Sequence, residues 1–127
     1  MKTIIYSFLI LFFLSCFKVE EKSILPEEVS PEVYKVLLDN EDVKVLEVTF
    51  EPGQSDKLHN HNVMTFHVIQ GGKVQVTLPD GTINEKEFPN GFTGHRKTKT
   101  THQVKNIGKN TVKVLLVEHK KIKTETK

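Results

Sequence analysis

The sequence predicts an all-β domain, either a sandwich or a closed barrel. Three observations carry that expectation. Runs of Val, Ile, Thr and Phe recur after residue 30, roughly eight of them at a spacing of about ten residues. Gly, Pro, Asn and Asp clusters separate these runs, as turns require. No stretch between them shows the period of an amphipathic helix. At 127 residues the chain is long enough for one domain.

The start reads as an address rather than as fold. Lys2 precedes an apolar run from Ile4 to Leu14, broken only by Tyr6 and Ser7. Such a run is too short to cross a bilayer as a helix, which takes about 20 residues, and it suits the core of a secretory signal. The chain's single cysteine, Cys16, stands at the end of this run, so no intrachain disulfide can form. Phe13-Leu14-Ser15-Cys16 resembles the lipobox of bacterial lipoproteins, with Phe13 where Leu, Val or Ile is usual. The resemblance implies lipid attachment at Cys16 and a place in the bacterial cell envelope, facing periplasm or exterior. An ordinary signal peptide is the plainer alternative. A lone thiol elsewhere in an exported domain would be open to oxidation, which favours the lipid.

The expected organisation is a signal peptide over 1–15, a polar tether over 16–31, a β-barrel over 32–120 and a polar tail over 121–127. Ser30 and Pro31 could open a short helix, but Val33 to Leu38 is read as a strand. Val43 to Phe50 is the next strand, ended by Glu51-Pro52-Gly53. Asn62 to Gln70 continues the chain after His59-Asn60-His61. Lys73 to Leu78 alternates polar and apolar residues, and Pro79-Asp80-Gly81 turns. Thr82 to Phe88, Phe92 to Lys97, Thr101 to Asn106 and Thr111 to His119 complete the set, with Val114, Leu115, Leu116 and Val117 expected inside. Phe66, Val68, Val74 and Val76 are read as core.

Charge excludes one class of function. The net charge is +2, from 18 basic and 16 acidic residues, and the two signs are interleaved up to the C-terminal tail. No compact basic footprint for nucleic acid is visible. No nucleophile–His–Asp order or phosphate loop stands out either.

The chemistry lies in histidines. His59 and His61 are two apart, so an extended backbone points both imidazoles to one face. Counted on at period two, Thr65, His67 and Ile69 share that face. Neutral imidazole is the commonest side-chain metal ligand. His67 is a weak acid/base candidate, or equally a hydrogen-bonded interior histidine. His95 reads as a surface residue, and His119 has no assigned role.

At this point the chain resembles the cupins, over about residues 40–119. Gly53, His59-Asn60-His61, Thr65 and Gly72 fit the spacing of the family's first motif, with Thr65 in place of its Glu. Gly91, His102 and Asn106 fit the anchors of the second, with Lys97 and Lys99 where Pro and Gly are usual. The resemblance implies a jelly-roll β-barrel in which His59, His61 and His102 converge on one divalent metal. Fe, Zn, Mn, Ni and Cu all suit such a set, and outside the cytoplasm the stability order favours Cu or Zn over Fe. Three neutral ligands leave the ion's charge uncompensated, so the expected ligand is a small anion. Three-His centres of the family are associated with iron-dependent oxygenation, which makes oxygenase-like chemistry the first candidate activity. A metal-free binding or sensor module is the alternative, and a homodimer through a barrel edge is a possible partner.

Overall fold

The computed structural model describes residues 22–121. The signal, Cys16 and most of the polar tail lie outside the described residues. The strands are β1 Tyr34–Asp39, β2 Val43–Phe50, β3 His59–His61, β4 Met64–Gln70, β5 Gly72–Thr77, β6 Ile83–Phe88, β7 Thr93–Arg96, β8 Thr100–Asn106 and β9 Val112–His119. One helical turn, α1 Pro26–Val29, precedes them. The strands form two antiparallel sheets, in the orders β1-β2-β9-β4-β7 and β3-β8-β5-β6. The expected all-β barrel is therefore what the chain forms.

Alternation builds the core. Along β2, Leu46, Val48 and Phe50 are buried, while their neighbours are partly exposed. Leu46 pairs with Leu116, Val48 with Val114 and Phe50 with Val112 across the β2–β9 ladder. Phe66 meets Leu116 and Val68 meets Val114 from the other side of β9. Val74 is buried in the opposite sheet, with Val76 partly buried against the core, so all four expected core residues are in it. On β9 the even positions face inward: Leu116 is buried, whereas Leu115 and Val117 lie on the outer face and are only partly covered. Gly53 and Gly91, the leading glycines of the two motifs, have φ of 79° and 80°, a region that a side chain disfavours.

The segment read as a tether is ordered at its end. Pro26 sits at the first helical position, and Ser30, fully buried, accepts the Lys57 backbone N–H on its hydroxyl. The helical turn lies before Ser30, which closes it at the C-terminal end rather than opening a helix with Pro31, while the strand read over Val33 to Leu38 is present as β1. Lys44 takes an inward position beside the helix and stays charged there, 2.5 Å from Glu27.

The histidine stretch corrects one expectation. It is not one strand but two, in different sheets, separated at Asn62-Val63. From His61 to Met64 is an odd step, so the inward phase flips between them. Met64, Phe66 and Val68 face the interior, and Thr65, His67 and Ile69 do not.

Candidate metal centre

β3 lies against β8, with His59 opposite His102 and His61 opposite Thr100. This ladder, not chain proximity, brings the third histidine to the other two. His59 and His61 are buried at 0% and 3% exposure. His102 is partly exposed as a residue, though its ring stands against both of theirs. Ring centroids are 4.6 Å apart for His59 and His61, 4.9 Å for His59 and His102, and 5.2 Å for His61 and His102. One ring nitrogen from each lies within 4.8 Å of the others. Bonds of about 2.0–2.1 Å to a shared first-row ion call for nitrogens roughly 3–4 Å apart, so small side-chain adjustments suffice.

The hydrogen bonds fix which nitrogens face inward. The Lys57 carbonyl can only accept, so His59 Nδ1, 2.7 Å away, carries the proton. His61 Nδ1 likewise donates to the Glu118 carboxylate at 2.6 Å. In the neutral rings both Nε2 atoms are then bare, yet they stand 2.8 Å apart. Two lone pairs aimed at each other at that distance repel unless a cation or proton lies between them. This buried conflict is what a shared metal would remove, so the donor set fits a divalent ion.

His59 and His102 are held in the ligating form. Burial lowers His59 to about 4, helped by the repulsion that a second positive ring beside His61 would meet and opposed by the Lys57 carbonyl. Burial lowers His102 to about 3, with His61, His59, Arg96 and Lys86 adding to it. Metal binding needs neutral imidazole, so neither ring has to lose a proton near neutrality.

Three residues that the sequence reading missed complete the surroundings. Tyr34 places its hydroxyl 2.7 Å from Asp56 Oδ2 and 3.2 Å from His59 Nε2. Asp56, 2% exposed, also accepts the Val104 N–H at 2.6 Å. Burial raises its carboxyl to about 6 despite those bonds, and burial then the Asp56 charge push the Tyr34 phenol well above its ordinary value. Glu118, 2% exposed, sits opposite Lys44 on the β2–β9 ladder. Only Glu118 left a trace in the sequence, as a charge in phase with Val112, Val114 and Leu116.

Thr65 and His67 belong elsewhere. The Thr65 hydroxyl meets His95 Nδ1 at 3.0 Å and His119 Nε2 at 3.2 Å on the outer face. It does not take the carboxylate's place among the three rings. His67 is exposed, with Nδ1 2.8 Å from Thr93 Oγ1. Both depart from the expected face because the phase was counted through the break between β3 and β4.

A cavity of about 120 Å³ runs from Tyr34, His61 and His102 between apolar walls that include Met64, Phe66, Val68 and Val104. Lys86 and Arg96 also line it. A second cavity, about 200 Å³, shares Phe66, Lys86, Phe88 and Arg96 and adds Phe92.

Comparison with solved structures places the fold among the cupins, or double-stranded β-helix domains. A cupin domain from Bordetella pertussis Tohama I matches with a TM-score of 0.64 and 26% identity, over 70% of this chain and 93% of that one. An RmlC-like cupin family protein from Methanocaldococcus jannaschii matches with a TM-score of 0.56 and 17% identity, over 68% and 78%. The polyketide cyclase RemF from Streptomyces resistomycificus matches with a TM-score of 0.53 and 19% identity, over 69% and 64%. No protein-family model matches the chain. No curated protein matches it either.

Proposed function

We propose that this cupin-fold chain binds one divalent transition metal through His59, His61 and His102 and presents it to a small anionic molecule. The observation that carries this reading is the pair of Nε2 atoms 2.8 Å apart, on rings whose Nδ1 atoms are engaged by the Lys57 carbonyl and the Glu118 carboxylate. A bound ion would supply a Lewis-acid centre and, if iron or copper, a redox site. The chain's own part is to orient the rings through Lys57 and Glu118 and to wall the inner cavity with apolar side chains. Oxygenase-like chemistry is the first activity to assay; the similarity to RemF makes cyclisation of a small molecule the second.

Elemental analysis of protein purified without chelators tests the reading. Near-stoichiometric metal that is lost in His102→Ala supports it. A rival draws on the wholly apolar inner face of β4, Met64, Phe66 and Val68, which offers no carboxylate ligand. That metal-free binding module predicts substoichiometric metal, unchanged in His102→Ala.

The second part of the proposal is envelope anchoring through lipid on Cys16, supported by Lys2, the apolar run and the single, terminally placed cysteine. Cys16→Ala should release the protein from the membrane fraction. A variant that stays membrane-bound overturns the assignment.

A further inference from the structure

Two cations, Lys86 and Arg96, stand where the inner cavity meets the outer one. Arg96 lies opposite Met64 on the β4–β7 ladder, and Lys86 opposite Val74 on the β5–β6 ladder. Those ladders belong to different sheets, so the two side chains come from opposite walls of the barrel. Both line the inner cavity and the outer one. Among the described residues neither forms an ion pair: Glu85 and Glu87 alternate to the other face of β6, and Glu85 is taken by Lys73 at 2.7 Å. Two like charges facing one space repel, and a partly apolar wall weakens their screening.

Between these cations and the histidines the walls are apolar. Phe66, Phe88 and Phe92 form one aromatic group, with centroids 6.0, 6.0 and 5.4 Å apart. Phe92 is 41% exposed, so an aromatic ring is left open at the entrance. An occupant must therefore be anionic at one end and apolar along its length. A bare phosphate would leave the walls unfilled, and a neutral hydrocarbon would leave both cations unpaired.

We infer that the cavity takes a small carboxylic acid with an apolar or aromatic body, its carboxylate held by Arg96 and Lys86 at the entrance and its body directed past Phe66 toward His61 and His102. The inference deepens the metal-centre reading by naming the class of molecule presented to that centre. The anion contact itself does not require the metal. Arg offers two parallel N–H donors to a carboxylate, and Lys adds a point charge.

The test is titration calorimetry with phenylacetate and hexanoate, against phenylacetamide and inorganic phosphate as probes lacking one half of the chemistry. The expected result is saturable carboxylate binding, at least tenfold tighter than that of the amide or phosphate. Arg96→Gln and Lys86→Gln should each weaken carboxylate binding about 10–100-fold, the range for loss of a charge-assisted contact. They should leave amide binding unchanged. Circular dichroism and metal content of the same samples establish that the variants fold and keep the centre. Absent carboxylate binding, equal affinity for acid and amide, tighter binding of phosphate, or variants that bind as the parent does would each overturn the inference. The two readings fail separately: metal content unaffected by His102→Ala removes the centre, while loss of carboxylate affinity in Arg96→Gln stands or falls without reference to it.

Discussion

Glu118 Oε1 stands 2.6 Å from His61 Nδ1, and both groups are almost wholly buried. The contact decides which His61 nitrogen faces the centre. A carboxylate that accepts from a ligating histidine fixes the ring's orientation and raises its basicity, and its loss typically costs metal affinity 10–100-fold. Glu118→Gln keeps the volume and removes the charge. Its affinity for zinc, measured by competition with a chromophoric chelator, should fall by about 10-fold or more. Affinity equal to the parent's would mean that Glu118 serves Lys44 rather than His61.

Asp56 is a brace rather than a ligand. It accepts from the Tyr34 hydroxyl and the Val104 N–H, joining β1, the β2–β3 connection and β8. In Asp56→Ala both donors lose their acceptor inside the barrel, and a buried unsatisfied group costs about 1–3 kcal/mol. Urea unfolding should show a loss of about 2–4 kcal/mol for the two together. Tyr34→Phe removes a single donor and should cost less than Asp56→Ala. The reverse order would contradict this assignment.

The site also sets how metal-free stability varies with pH. His59 and His102 bind protons in the unfolded chain near the ordinary 6.5 but only near 4 and 3 when folded. Between about pH 6 and 4.5 the unfolded chain thus holds roughly two protons that the folded chain lacks. Asp56 works the other way, since its folded value of about 6 exceeds the ordinary 3.8. The net excess is about one proton on the unfolded side, so stability falls on acidification by about 1.4 kcal/mol per pH unit. Denaturant midpoints of chelator-treated protein at several pH values measure it. Asp56→Asn removes the opposing group and should roughly double the slope; an unchanged slope would place the titration elsewhere.

How much of this could be read from residues alone depends on the distance over which phase survives. Alternation is strict in β2 and looser in β5 and β9, so Val74 and Leu116 are legible as core types and His59 and His61 as one face, whereas Leu115 and Val117 are not separable from Leu116 by composition. The convergence of His102 comes from the motif resemblance, because a ladder pairing His59 with His102, far apart in sequence, leaves no local trace. Thr65 and His67 were misplaced because the chain changes sheet at Asn62-Val63, where alternation has no meaning. Tyr34 and Asp56 carried no signal, since their roles arise only when β1 and the β2–β3 connection close over the rings. Lys86 and Arg96 stand on strands of different sheets, so nothing in the local sequence marks them as facing one cavity.

Asn106 supplies the last test, because it separates holding the barrel together from holding a ligand. It is wholly buried, and its hydrogen-bond partners are Phe50, Asn110, Gly108, Gln54 and Gly53 rather than the three rings. Its Nδ2 donates to the carbonyls of Phe50 at 3.0 Å and Asn110 at 2.8 Å, and its Oδ1 accepts the Gly108 N–H at 2.9 Å. Its backbone N–H donates to the Gln54 carbonyl, and its own carbonyl accepts from Gly53 N–H. One amide therefore ties the end of β2, the Gly53 turn and the β8–β9 connection. Asn106→Ala strands those side-chain partners and should cost about 2–4 kcal/mol in urea unfolding. Asn106→Asp turns a carboxylate toward two carbonyls, which adds repulsion and desolvation, so it should be at least as damaging at pH 7 and partly relieved near pH 4. Folded Asn106→Ala at low temperature should still take up metal with near-parental stoichiometry. Loss of metal from a variant shown to be folded would make Asn106 part of the centre rather than its frame.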